Sequence, residues 1–172
     1  MLAADLVAAG IAQVVGLDID QPVLDRARAR HAGSGIDWQR GDLLATFFEP
    51  ESFDAVVSVA ALHHMDAARA LARCAELVRP GGTVAIVGLA AYGWSDLPLV
   101  AIGAASKLVL SVVHGRWSHS APRCWPPPLT YREMKALSAR SLPGVRYRRH
   151  LLSRYSLVWH KPMPAGTKEQ HA

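Results

Sequence analysis

The chain has 172 residues, 51% of them hydrophobic, and a formal net charge of +5. That length suits one domain with one sizeable core, and that composition excludes a disordered tail. Residues 1–5 lack a basic lead, and the most apolar run, 97–113, is broken by Gly103, Ser106 and Lys107, so neither a signal peptide nor a bilayer-spanning helix is predicted and no membrane partner is expected.

The charge is uneven. Residues 1–86 hold seven Lys and Arg against eleven Asp and Glu, a net −4, whereas residues 87–172 hold twelve against three, a net +9. A basic half suits an anionic substrate or nucleic acid, or is simply a solvated face. No nucleic-acid motif accompanies it, so nucleic acid is not an expected partner. Cys74 and Cys124 have neither the spacing of a disulfide framework nor that of a metal site. No metal is expected, and a reducing cytoplasmic setting fits best.

From the amino end, residues 2–9 predict an alanine-rich helix with Leu2 and Leu6 on one side and Gly10 as its cap. Residues 14–17 predict a short buried strand that delivers Asp18, Ile19 and Asp20 at its carboxyl end. Pro22 suits the first turn of a helix running to about His31, and Asp20 is a candidate cap for it. After a glycine loop at 33–35, residues 36–39 predict another strand, ending in Arg40-Gly41-Asp42-Leu43. Acidic residues at the ends of two successive strands suggest a nucleoside site. In open α/β sheets ligands bind at strand carboxyl ends, where a carboxylate accepts hydrogen bonds from ribose hydroxyls. The alternatives are a loop carboxylate at Asp18 that caps a helix, and a simple Gly-Asp turn at Asp42.

Residues 55–59 are valine-rich and predict a strand buried on both faces. His63 and His64 follow. On a helix adjacent histidines diverge, so they cannot chelate one ion as an i, i+4 pair can. Pocket lining, strand termination and general-base action on a hydroxyl or amine remain open for them. Residues 67–78 predict a helix with Leu71, Ala75 and Val78 at helical spacing and Cys74 buried within it. Arg79-Pro80-Gly81-Gly82 predicts a tight turn that stops this helix, and 83–87 a second buried strand. Two parallel strands joined by a helix form the right-handed crossover unit of an open α/β sheet.

Beyond the second strand, 88–94 reads as a loop and 97–113 as a helix. The segment 115–128, GRWSHSAPRCWPPP, is irregular, with two tryptophans and four prolines. It is either a substrate-contacting segment or a surface loop pinned by its tryptophans. Thr130 and Glu133 make a capping box for a helix to about Ser141. Residues 145–150 and 154–160 alternate in polarity and predict two strands whose Arg146, Arg148 and Arg154 face solvent.

The phrase FDAVVSVAALHH, followed by LVRPGGTVAIV, resembles the class I S-adenosylmethionine-dependent methyltransferases, especially their small-molecule group. The resemblance extends more weakly over residues 1–162. It implies an α/β fold: a Rossmann-like sheet with helices on both faces and an antiparallel last strand. It implies S-adenosyl-L-methionine as cofactor and a small molecule as substrate. In VVGLDID, Asp18 matches the family's ribose-binding acid and Ile19 the neighbour that packs on adenine. Asp42 and Leu43 match the position that reads the adenine edge. Val59 and Ala60 match the stretch lining the methionine end, and His63 stands near the methyl donor. Trp117, His119, Arg123 and Trp125 fall in the insertion that often lids the substrate pocket in this family. No catalytic residue is implied, because the sulfonium is already activated and positioning is the main requirement.

The family opens with a strand and a D-x-G-x-G-x-G loop, which this sequence lacks. Gly10 and Gly16 do not replace it, since they follow the first helix. The expectation is a methyltransferase domain over 1–162 that is incomplete at its amino end, with a flexible tail at 163–172. The first strand would be missing between those at 14–17 and 55–59, leaving two edges unpaired. A start further upstream, a non-catalytic remnant, or direct pairing of the flanking strands would each account for this; the first is favoured. Weak stability and poor cofactor affinity are expected of the chain as written. Two other functions are weighed. One is a non-catalytic interaction protein of the same fold. The other is a nicotinamide-dependent oxidoreductase, which shares the acidic ribose ligand but requires a G-x-G-x-x-G that is absent here. Oligomeric state is not indicated.

Overall fold

The computed structural model describes residues 2–92 and 126–164. The chain divides into two compact units, Met1–Phe47 and Phe48–Ala172. The helix expected at 97–113, most of the 115–128 segment and the tail from residue 165 lie outside the described residues.

In the first unit, α1 spans Leu2–Ala8 and ends at Gly10, whose φ is +91°. Strand β1 (Val15–Asp18), helix α2 (Gln21–Arg30) and strand β2 (Asp37–Arg40) follow. The two strands pair in parallel, from Val15 opposite Asp37 to Asp18 opposite Arg40. Helix α2 is the crossover and buries Leu24 and Ala27; Val14 is buried with them. Gly16 lies opposite Trp38, and any Cβ there would run into the indole. Asp20 occupies the N-cap of α2 but its side chain caps nothing. Instead its own N–H donates to Asp18 Oδ1 at 2.9 Å. The Asp18 carboxylate captures the amide two residues on, a local bond that short acidic side chains make readily.

The second unit holds β3 (Phe53–Val59), a 3₁₀ turn (Leu62–His64), α3 (Ala67–Leu77), β4 (Val78–Leu89), α4 (Tyr131–Ser141), β5 (Arg146–Arg149) and β6 (Arg154–His160). The strand order is β3-β4-β6-β5. Strands β3 and β4 are parallel, with α3 as crossover; β6 is antiparallel to both β4 and β5. Asp66 caps α3 by accepting from Arg69 N–H, and the Thr130–Glu133 capping box of α4 is complete. Among the described residues β1 pairs with β2 alone, and β3 with β4 alone.

Two expectations change here. The Arg79–Gly82 stretch is not a turn ahead of the strand but lies inside β4. Phe53 pairs with Val78 and Ala55 with Thr83, so the extra residues bulge out of the ladder, with Gly81 at a φ of +78°. Strand β3 is also not buried on both faces: Ala55, Val57 and Val59 are exposed. The core lies on the other face. There Val84, Ile86, Tyr155, Leu157 and Trp159 are buried, in register across β4 and β6. Helices α3 and α4 pack there, burying Leu71, Cys74, Leu77 and Met134. Burial pushes the Cys74 thiol up to about 11, so it is a packing group and not a nucleophile.

Candidate functional site

The carboxyl ends of β1 and β2 meet in one place. Gly41 N–H donates to the Asp18 carbonyl at 3.0 Å, which sets Asp42 beside the end of β1. A Cβ on Gly41 would crowd the Thr46 hydroxyl, so a larger residue here would require the Thr46 side chain to turn away. Asp42 Oδ1 accepts from Leu44 N–H at 2.9 Å, which fixes the loop. Asp18 is half-buried, and its Oδ1 is engaged by Asp20 N–H. Among the described residues its Oδ2 has no partner, so the carboxylate retains acceptor capacity. Ile19 is 66% exposed and presents an apolar surface next to that carboxylate. Leu43 is half-buried. Two carboxylates with committed geometry and an exposed isoleucine thus share one strand edge. This arrangement sets hydrogen-bond acceptors beside an exposed apolar side chain.

The second unit carries the other expected residues at the end of β3. Val59 is 51% exposed. Ala60 follows with a φ of +55°, and its N–H donates to the Val87 carbonyl at 2.8 Å. A left-handed alanine is strained, and the bond to β4 helps to hold it. The chain then enters the 3₁₀ turn that places His63 and His64. Their rings do not diverge as expected: the centroids lie 3.9 Å apart, tilted by 41°. The expectation assumed an α-helix, whereas this is a three-residue turn. His63 is 9% exposed, and its Nδ1 is buried with no hydrogen-bond partner among the described residues. Burial, and secondarily the neighbouring His64, hold its pKa below the ordinary 6.5, so the ring is neutral at neutral pH.

Trp117, His119, Arg123 and Trp125 lie outside the described residues. Among the described residues no group of three or more His, Cys, Asp or Glu side chains is arranged to hold a metal ion. An open groove of about 370 Å³ lies under the α2–β2 loop, lined by Arg28, His31 and Trp38 among others. It contains none of the expected site residues and sits at the amino end of β2, away from Asp18 and Asp42. The strained Ala60 was not legible in the sequence, because alanine carries no signal for a left-handed φ.

Residues 1–86 match the family described as "Methyltransferase domain". An uncharacterized methyltransferase of Mycobacterium tuberculosis is 41% identical over 169 residues, covering 95% of this chain and 83% of that protein. The chain belongs to the class I methyltransferases. The fold agrees with this. A SAM-dependent methyltransferase of Methanosarcina mazei superposes on the methyltransferase with a TM-score of 0.62 at 17% identity, covering 92% of this chain and 86% of that one. A phosphoethanolamine N-methyltransferase of Haemonchus contortus, solved with phosphomonomethylethanolamine and S-adenosylhomocysteine, has a TM-score of 0.59 at 14% identity. That likeness covers 93% of the methyltransferase and 46% of the nematode chain. In the methyltransferase the parallel β3–α3–β4 crossover and the antiparallel β6 give the α/β sheet of this fold.

Proposed function

We propose that the chain transfers a methyl group from S-adenosyl-L-methionine to a small-molecule nucleophile. The observation that carries this reading is Asp18 at the carboxyl end of β1, half-buried, with one oxygen anchored by Asp20 N–H and the other unengaged among the described residues. That carboxylate suits two vicinal ribose hydroxyls. Ile19 and Leu43 supply apolar surface for adenine, and Asp42, fixed by Leu44 N–H, supplies an acceptor for its exocyclic amine. The family resemblance assigns Val59 and Ala60 to the methionine end. The sulfonium of the bound cofactor supplies an activated methyl donor. Asp18, Ile19, Asp42 and Leu43 would hold the cofactor, and transfer of its methyl group to the substrate would leave S-adenosylhomocysteine. The family resemblance assigns His63, Trp117, His119, Arg123 and Trp125 to the substrate.

Calorimetric titration of S-adenosylhomocysteine into the 172-residue chain, with Asp18→Ala as control, tests this. Losing one charge-assisted hydrogen-bond acceptor for the ribose should weaken binding at least about tenfold. Equal binding by the two proteins, or none by the unaltered chain, would overturn the assignment of the nucleoside site to Asp18.

A further inference from the structure

The turn that joins β5 to β6 is strained and rigidly held. Leu152 and Ser153 both adopt left-handed backbone, with φ of +59° and +61°. Such strain persists only where the surroundings hold it. Here Ser153 is buried, its N–H donates to Tyr92 Oη at 2.9 Å, and its carbonyl accepts from Ala90 N–H at 2.8 Å. Both ties come from the exit of β4. Leu151, by contrast, is held out at the tip and is 52% exposed.

The position of this turn matters. Strand β5 is antiparallel to β6, which is antiparallel to β4, so β5 runs in the direction of β3 and β4. The turn therefore lies at the edge where β3 and β4 end, the edge that carries Ala60 and His63. Two strand spacings, about 10 Å, separate β6 from β3.

The tip is also basic. By alternation Arg148, His150 and Arg154 share one face of the hairpin, and all three are exposed. Exposed Arg149 lies on the other face, its guanidinium 4.0 Å from the Tyr131 ring centroid. Over 126–164 the one carboxylate is Glu133, which is committed to Thr130. Charge on β5 guards an edge strand against pairing with another chain. That reason does not extend to Arg154, which sits on the internal strand β6, nor to an exposed leucine at the tip.

We propose that this turn is a docking lip for an anionic lipid surface, with Leu151 entering the headgroup boundary and Arg148 and Arg154 facing lipid phosphates. The substrate would then be a lipid or amphiphile that reaches the carboxyl edge of the sheet from the lipid phase. This narrows the substrate class and rests on the methyl-transfer reading above. An apolar tip ringed by arginines is the pattern that binds such surfaces. Nucleic acid fits less well, because no Phe, Tyr or Trp is exposed on β5, β6 or the turn for bases to stack on. No described helix is long and apolar enough to cross a membrane. The expectation of no membrane partner rested on the lack of a spanning segment, and a peripheral contact needs none.

Co-sedimentation of the 172-residue chain with vesicles tests the proposal. Equimolar phosphatidylglycerol and phosphatidylcholine vesicles are compared with phosphatidylcholine alone. Leu151→Ser and the double variant Arg148→Glu/Arg154→Glu are compared with the unaltered chain, and circular dichroism checks their fold. Binding to the anionic vesicles should exceed that to phosphatidylcholine by at least about tenfold, and each folded variant should lose about as much. Added salt should weaken it. Equal binding to both vesicles, no binding, variants that bind like the unaltered chain, or tighter binding to a single-stranded RNA would each overturn it. The comparison of vesicles uses the unaltered chain, so a misfolded variant does not remove the test. The S-adenosylhomocysteine titration needs no vesicle. Cofactor binding without vesicle binding therefore rejects the docking lip alone.

Discussion

His63 gives up water at one ring nitrogen and gains no hydrogen bond there from the described residues. Its Nδ1 is buried without a partner among the described residues, while burial and, secondarily, His64 keep its pKa below 6.5. In the unfolded chain the same ring takes up a proton with its ordinary affinity. The unfolded state therefore binds more protons as the pH drops. The stability associated with His63 is complete above pH 6.5 and is lost as the pH falls through 6.5 and the lowered folded value. The thermal midpoint should thus fall from about pH 7.5 to about pH 5.5, and His63→Leu should flatten that fall. Melting curves followed by circular dichroism at several pH values check this. An equally steep fall in the variant would show that other groups carry the acid sensitivity. The burial behind this effect was hidden in the sequence, where two adjacent histidines say nothing about which of them is buried.

At the scale of elements, one lysine joins three of them. Lys161 Nζ donates to the carbonyls of Ala75 at 3.0 Å and Val78 at 2.9 Å, and meets Glu51 Oε1 at 2.9 Å. Those carbonyls close α3, where the last turn lacks intrahelical donors and the dipole is negative. The Lys161 backbone meanwhile brackets the β4 bulge, accepting from Gly81 N–H and donating to the Gly82 carbonyl, both at 2.9 Å. Lys161→Met keeps the apolar stem and removes the donors. It should cost about 1–3 kcal/mol, most of it from the two carbonyls, since the partly exposed Glu51 pair contributes little. Urea unfolding measures this, and a loss below about 0.5 kcal/mol would mean that water replaces the ammonium without penalty. The capping box of α4 was readable because Thr130 and Glu133 are three residues apart. The Lys161 cap was not, because 83 residues separate it from Val78.

Across the whole chain, the two units differ in what holds them. The first has a two-stranded sheet and buries Val14, Leu24 and Ala27. The second has four strands and a larger core that includes Leu71, Ile86, Tyr155 and Leu157. A two-stranded sheet is marginal without further packing, and small cores open at low free energy. Amides of Leu17 and Gln39 should therefore exchange with solvent hydrogen faster than those of Ile86 and Leu157. Exchange followed by mass spectrometry checks this, and equal protection in both units would show that they open together.

The sequence by itself determined the parallel crossover, the class and the residue types at the carboxyl ends of β1 and β2. All of these are local: VVGLDID, FDAVVSVAALHH and LVRPGGTVAIV each lie within one stretch of chain, where periodicity and turn chemistry are legible. Only the tertiary structure decided which face of β3 is covered and that Arg79–Gly82 bulges within a strand. It alone decided that Ala60 is left-handed, and that the β5–β6 turn stands at the edge where β3 and β4 end. Each of these depends on register between distant segments, such as Leu89 opposite Arg154 or Phe53 opposite Val78. A side chain's exposure and a backbone's strain follow from what is placed against them, and a single stretch of sequence does not contain its partner.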